Sequence, residues 1–421
     1  MSALRRRLIN NSLYNIGGYA YLLLASFLSI PWLARGLGVT RFAQYLLLAA
    51  VPPVVSILDF GVSQAVVYYL AKPDTSAIDK LRIRQNSLLF YLVSCLWVAA
   101  LAALVLYGTS RTLLFTSAPV SFAAYAWIVG SAVVNQLLTH YLALSQGEHR
   151  FDIFNLKTVV VGTGNTLVPG ILALHGSSLA IIFFSLFLSY VCSLVFVLFA
   201  QRFRFRDSPR YDAAAFKALL RFGIKAFTGA LSGQVETQAG KYVLAGSLAG
   251  GAVAAFAIPQ AIVYKAAGAV SQSVLALYPV ASSLSDAAHR QKLRAIYHRV
   301  QLGLLLLGIA GVALAYLYGG PFLLWWLKDQ GLASSALPVL RVMSIFFVSM
   351  VMTPVASMIM DGLGYPGLTS TFAVTTAVMN LVLLFLLTPR FGAVGAAYAI
   401  LISSWANMPA FLYLVEKKLK A

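Results

Sequence analysis

Charged residues are scarce in this chain. Only 10% of its 421 residues are Asp, Glu, Lys or Arg, and 60% are hydrophobic, whereas soluble domains carry about 25% charged residues. So few charges cannot cover a surface in water, and the composition excludes a soluble globular protein. A membrane span needs about 20 apolar residues, so the chain has room for roughly ten to fourteen spans with short loops.

Residues that bind metals or form disulfides are also few. The chain has five His and two Cys. Cys95 and Cys192 fall within apolar stretches, so neither a disulfide framework nor a metal site is predicted. The Gly-rich GxxxxGK[ST] loop that binds nucleotide phosphates does not occur, which argues against ATP hydrolysis by this chain. We therefore expect no cofactor and no catalytic residues, and we do not expect an enzyme.

Long apolar segments predict an all-α membrane protein with twelve transmembrane helices. The predicted spans are 10–34, 42–70, 84–107, 119–146, 156–174, 178–201, 223–247, 252–281, 294–318, 334–361, 366–388 and 393–415. The longest polar stretch, 201–222, lies near the middle of the chain. It divides the chain into six-helix bundles at 1–205 and 223–421, joined by a cytoplasmic linker and an interfacial helix at 206–222. A faint repeat at the starts of spans 2 and 8 favours parallel repeats, which bind substrate between the halves.

Acidic residues are outnumbered by basic ones, 12 to 31, which gives a net charge of +19. Most of the Lys and Arg residues fall in predicted loops, so we expect them to orient the chain rather than to bind nucleic acid. Of these residues, 22 lie on the side of both termini and five lie on the other side. The positive-inside rule then places both termini in the cytoplasm. The outer loops are short; the longest, of about fifteen residues, is predicted between spans 9 and 10.

Four basic residues remain after these 27, and all four lie within predicted spans. Arg341 lies near an outer end, from which its side chain can reach the interface. Lys225, Lys265 and Lys241 lie at increasing depth from the cytoplasmic side, on spans 7 and 8. An intramembrane charge is costly and usually faces a cavity or a partner. Because Lys binds phosphate as a point charge, this ladder of ammonium groups favours an anionic substrate.

Other polar side chains complete the candidate site. Gln234 and Gln238 share one helical stripe with Lys241, and Asn15 adds an amide in span 1. Glu236 and Asp59 lie near mid-depth, where a carboxylate can hold a coupling ion. Glu236 has no partner at helical spacing. For Asp59 two roles stay open, namely pairing with a lysine of the other half or binding a coupling proton or cation.

Ordered stretches along the chain resemble the Wzx-type polysaccharide-export flippases. "LSIPWLARGLGVTRFAQY" (28–45) and "LDFGVSQAVVYYLA" (58–71) are similar to the first two spans of that family. "LLRFGIKAFTGALSGQVETQAGKYVLAGSLAGGAVAAFAIPQAI" (219–262) is similar to its span 7 and the start of its span 8. "FNLKTVVVGTGNTLV" (154–168) is similar to its span 5, and "YPVASSLSD" (278–286) to the end of its span 8.

The resemblance implies a fold of two six-helix bundles around a central cleft, in the multidrug/oligosaccharidyl-lipid/polysaccharide exporter superfamily. It implies that an undecaprenyl-diphosphate-linked oligosaccharide, an O-antigen or exopolysaccharide repeat unit, crosses the bacterial inner membrane from the cytoplasmic to the periplasmic leaflet. The implied mechanism is ion-coupled alternating access. The implied partners are this lipid-linked substrate, membrane lipids, the polysaccharide polymerase and chain-length proteins.

One position departs from the family pattern. The family often carries an Asp-Arg pair in span 7, where this chain has Gly240 and Lys241. The cation is kept and the carboxylate is lost, so the role of that Asp is in doubt unless Glu236, one turn earlier, replaces it.

Two alternative functions share the expected fold. A drug/cation antiporter predicts a cavity rich in carboxylates rather than lysines. The lipid II flippase resembles this chain less and usually has fourteen spans. A third alternative, the O-antigen polymerase, is an enzyme that needs a large periplasmic loop, which the short predicted outer loops exclude.

Overall fold

The computed structural model describes residues 2–72, 75–148, 150–201, 208–247, 250–274 and 290–420. Side chains are described over these ranges except at 2–19, 151–152, 154–158, 225–226, 247, 272–274 and 290. Within these ranges all regular structure is helical and no strand occurs, which confirms the all-α expectation.

The helices follow one another with short connections. In chain order, α1 to α14 are Ser2–Ala49, Val51–Ser56, Val62–Ala71, Ala77–Ser110, Leu113–Thr116, Phe122–Gly147, Phe151–Asn165, Leu167–Leu174, Leu179–Ala200, Ala213–Ser247, Gly250–Val274, Arg290–Leu327, Gln330–Gly362 and Pro366–Lys420. A 3₁₀ turn, Ile57–Asp59, lies between α2 and α3.

Eight helical stretches among the described residues are long and apolar enough to cross a membrane, which agrees with a multi-pass membrane protein. Gly38 and Gly392 interrupt α1 and α14 with φ angles of 70° and 58°. Both lie where the sequence predicts a turn between consecutive spans. The count of twelve crossings and the cytoplasmic position of both termini stay predictions.

The predicted fifteen-residue loop between spans 9 and 10 is wrong. Helix α12 continues to Leu327 and α13 begins at Gln330. Lys328 takes a left-handed conformation, with φ 54°, and Asp329 caps α13 by accepting the Leu332 N–H at 2.9 Å. Gly319, Gly320 and Pro321, where the loop was predicted to begin, lie inside α12 instead, so the two helices meet in a tight turn.

Two other elements differ from their predicted form. Predicted span 5 is divided at Thr166, whose φ and ψ of −124° and −75° separate α7 from α8. The polar segment before span 7 contributes no separate helix among the described residues. Instead, α10 begins at Ala213, where Asp212 accepts the Ala215 N–H at 2.9 Å, and continues without interruption to Ser247.

The chain divides into two compact units, Met1–Leu231 and Ser232–Ala421. In the first unit, α6 packs against α3, α4 and α9, and α1 packs against α7 and α8. Leu219 of α10 joins the apolar core formed by α3, α4 and α6. In the second unit, α13 is the central helix and contacts α11, α12 and α14. The predicted bundle boundaries at 205 and 223 stay a prediction.

Helix packing in the first unit depends on a break in span 2. Phe60 and Gly61 both have positive φ angles, 51° and 73°, between the 3₁₀ turn and α3. A Cβ atom at Gly61 would overlap the carbonyl oxygen of Gly223 in α10. Gly61 and Gly223 therefore let the backbones of span 2 and α10 come into contact.

Candidate functional site

The polar part of span 7 lies on α10 within the second unit. Lys241 donates a hydrogen bond from Nζ to Gln238 Oε1 at 2.7 Å. Gln234 lies on the same stripe, one turn before Gln238. Gln234 Oε1 is buried and has no hydrogen-bond partner among the described residues. Among the residues whose side chains the structure describes, no carboxylate forms a salt bridge with Lys241. The stripe thus presents an ammonium group and amides.

Glu236 lies on a different face of α10 and points to α11. The Tyr264 hydroxyl donates to Glu236 Oε1 at 3.1 Å. One turn away on α11, Gln260 Nε2 donates to the Thr237 carbonyl oxygen at 3.0 Å. Tyr264 also packs against Phe346 of α13, with ring centroids 5.9 Å apart. These contacts hold the carboxylate of Glu236 against α11.

Gly240 explains the departure from the family's Asp-Arg pair. A Cβ atom at this position would approach the Phe256 ring to 2.9 Å, closer than real Cβ contacts. The space that an Asp side chain would need is therefore occupied by an aromatic ring of α11. Glu236 is the one acidic residue in the sequence of α10, lies one turn earlier and accepts a hydrogen bond from Tyr264.

Lys265 follows Tyr264 on α11 and is partly buried. The two lysines of the predicted ladder that have described side chains, Lys241 and Lys265, therefore both belong to the α10–α11 pair. The side chains of Lys225 and Asn15 lie outside the described residues.

Asp59 has a well-defined environment in the first unit. Its carboxylate accepts hydrogen bonds from the Tyr91 hydroxyl at 2.8 Å and from the backbone N–H groups of Gly61 and Ser63 at 2.8 and 3.2 Å. The side chain is buried. These donors fix the left-handed turn and the first turn of α3, an arrangement typical of a structural cap.

Sequence reasoning missed several polar groups of the second unit. Gln260 and Tyr264 are spaced i, i+4 on a mostly apolar helix, and that spacing was the available signal. On α14, Asn380 is fully buried and neither amide atom has a hydrogen-bond partner among the described residues. Thr376, one turn earlier on the same face, likewise has a buried hydroxyl without a partner there.

No group of three or more His, Cys, Asp or Glu side chains suited to a metal ion occurs among the described residues. The α10–α11 pair offers ammonium groups, amides and one carboxylate on neighbouring helices.

Comparison with known proteins identifies the family. The model of the polysaccharide biosynthesis protein family matches residues 8–285, which is more than half of the chain. The chain belongs to the polysaccharide biosynthesis protein family. This membership agrees with the resemblance to Wzx-type flippases. A Shigella flexneri protein that carries the name O-antigen transporter is 21% identical over 397 residues, covering 93% of each chain.

Solved structures with the same fold support the architecture of this family member. The lipid II flippase MurJ in an inward closed conformation has a TM-score of 0.68 at 11% identity, covering 100% of this chain and 89% of MurJ. A mutant of the Vibrio cholerae MATE transporter VcmN has a TM-score of 0.66 at 14% identity, covering 100% of this chain and 98% of VcmN. At such low identities the likeness shows the fold alone.

Proposed function

We propose that this protein is a flippase for a lipid-linked oligosaccharide. It moves an undecaprenyl-diphosphate-linked O-antigen or exopolysaccharide repeat unit from the cytoplasmic to the periplasmic leaflet of the bacterial inner membrane by alternating access. Family membership supports the polysaccharide substrate class. The observation that carries the proposal is the hydrogen-bonded Lys241–Gln238 pair on a helix predicted to cross the membrane.

The chemistry of this pair suits a glycolipid diphosphate. The diphosphate is the charged part of the substrate, and an ammonium group in a medium of low dielectric attracts it far more strongly than in water. Lys241 and Lys265 are the cations for this role, with Lys225 nearer the cytoplasmic end. Amides both donate and accept hydrogen bonds, so Gln234, Gln238 and Asn15 suit sugar hydroxyls.

Glu236 is the proposed site for a coupling proton or cation. Its contact with Tyr264 leaves the second carboxylate oxygen for an ion, and the Gly240–Phe256 packing excludes a carboxylate one turn later. Asp59 stays a second proposed coupling residue, although its hydrogen bonds from Gly61, Ser63 and Tyr91 favour a structural part.

Two alternative functions use the same fold. For a drug/cation antiporter, Glu236 would be the main binding group and Lys241 would repel the cargo. For a lipid II flippase, the diphosphate chemistry would be the same and the sugar would differ. The polymerase and chain-length proteins are proposed partners, because they act on the oligosaccharide once it has crossed the membrane.

Depletion of the protein in its own bacterium tests the substrate class. We expect surface polysaccharide to fall and one lipid-linked oligosaccharide to accumulate, which identifies the sugar. Accumulation of the peptidoglycan precursor lipid II would favour the second alternative. Unchanged surface polysaccharide together with increased drug sensitivity would favour the antiporter.

A further inference from the structure

A long apolar groove lies on the second unit, between α11, α12 and α13. Its volume is about 460 Å³. Helix α12 contributes both small and large side chains to its lining, and α11 and α13 contribute mainly apolar ones. Residues that line it include Ile262, Val263, Ala266, Gly311, Ala315 and Phe347.

The shape of this groove suits a chain rather than a compact molecule. On α12 its lining runs from Leu307 to Phe322, which corresponds to about 22 Å at 1.5 Å per residue. The hydrocarbon core of a bilayer is about 30 Å thick. The rim is open, since Leu314 and Tyr318 are 59% and 63% exposed. A flexible hydrocarbon chain can enter such a groove from the side.

The groove and its surroundings suit the two ends of an amphipathic lipid, since the groove is uncharged and a lysine lies beside it. None of the residues that line it carries a charge, so it complements hydrocarbon. At 3.6 residues per turn, the groove residues of α11 occupy one face, and Gln260 and Tyr264 occupy the far face. Lys265 lies on the flank between those faces. Helix α11 thus contributes one wall of the apolar groove, a cation beside it and the polar contacts to Glu236 and Thr237 of α10.

We propose that this groove holds the polyprenyl chain of the lipid-linked substrate while its diphosphate contacts the lysines of the α10–α11 pair. The inference rests on the proposed function. It adds a binding place for the polyprenyl chain, which a polar site does not bind. A hydrocarbon chain that passes from lipid into an apolar groove gains little free energy from the transfer, because both surroundings are apolar. The groove therefore acts mainly by orienting the lipid.

The test uses a matched pair of exposed alanines on α12. Ala310 lines the groove, and Ala313 is exposed outside it. A photoreactive phenylalanine analogue is placed at either position in cells that lack their own flippase and carry an isotope label in their isoprenoid chains. We expect several-fold more labelled isoprenoid cross-linked at 310 than at 313. Equal labelling at both positions, or adducts at 310 with phospholipid alone, would overturn the proposal.

A second measurement uses Ala310→Trp and Ala313→Trp in the same cells, with membrane protein level as control. Filling the groove should lower the export of surface polysaccharide, whereas Ala313→Trp should export like the wild type. Wild-type export by Ala310→Trp would contradict the proposal. If the wild-type chain itself restores no polysaccharide, the proposed function fails. If it restores export and position 310 gains no isoprenoid label, the groove proposal alone fails.

Discussion

At the scale of single residues, the account depends on Lys241. Its ammonium group is held by Gln238 at 2.7 Å and is partly buried. A hydrogen bond to a charged group is worth about 1.5–3 kcal/mol, so Lys241→Ala should weaken substrate binding roughly ten- to hundredfold. Lys241→Arg should keep more export than Lys241→Ala, and Lys241→Glu should be worst because it repels the diphosphate.

Surface polysaccharide in a strain lacking its own flippase measures this effect. Lys217→Ala, an exposed lysine on the same helix, is the matched control and should export like the wild type. Wild-type export by both Lys241→Ala and Lys241→Glu, at normal protein level, would assign Lys241 a structural role.

Glu236 gives a second prediction at this scale. Glu236→Gln keeps an oxygen that accepts from Tyr264, so the helix pair should stay folded while the ion site is lost. We expect transport by this variant to become insensitive to proton and sodium gradients. Asp59→Asn should lower the thermal stability of the purified protein, because the Asp59 carboxylate caps α3. A changed gradient dependence of this variant would support its second proposed role in coupling. A Glu236→Gln variant with wild-type dependence on both gradients would locate coupling elsewhere.

At the scale of helices, the contact of Gly61 with Gly223 gives a prediction about stability. Gly223→Ala adds a methyl group against the backbone of Phe60 and Gly61, and overpacking costs about 1–3 kcal/mol. A Cβ atom at Gly229, on the same helix, meets no atom within 4 Å. Gly229→Ala should therefore be neutral or stabilising by up to about 1 kcal/mol. Thermal unfolding in detergent compares the two; equal midpoints would show that the close approach is not required.

Helices were also the elements that the sequence predicted best. Runs of apolar residues located α4, α6 and α9 because a membrane span has a fixed minimum length. The helix ends were harder to predict, as the tight turn at Lys328 and Asp329 shows. The lengths of apolar runs do not show that two polar residues, Lys328 and Asp329, are enough to end one helix and begin the next. The continuity of α10 was also missed, because Lys217 and Arg221 in its first part favoured a separate interfacial helix before span 7.

Only the part of the candidate site that depends on local helical spacing could be predicted from the sequence. The shared stripe of Gln238 and Lys241 follows from helical spacing, which is local. The partner of Glu236 is Tyr264, 28 residues away on another helix, and no local pattern gives that pairing. The Asp59 environment likewise depends on Tyr91, which α4 brings to the break in span 2.

At the scale of the whole molecule, the charge asymmetry predicts the topology. To test it, the two cysteines of the chain, Cys95 and Cys192, are first replaced, so that only an introduced cysteine can be labelled. In intact cells an impermeant thiol reagent should then label Lys328→Cys and should leave Ser208→Cys unlabelled until the membrane is opened. Labelling of Ser208→Cys in intact cells would reverse the orientation and place both termini outside.

A flipping measurement with purified protein tests whether this protein moves a lipid-linked oligosaccharide across a membrane. Vesicles are prepared with and without the protein and with lipid-linked oligosaccharide extracted from its own bacterium, under imposed proton or sodium gradients. A membrane-impermeant glycosidase then reports how much sugar faces outward. We predict that the inner-leaflet sugar becomes accessible over time in vesicles with the wild-type protein, and more slowly with Lys241→Glu. Sugar that stays as protected as in protein-free vesicles, under every gradient, would contradict the account.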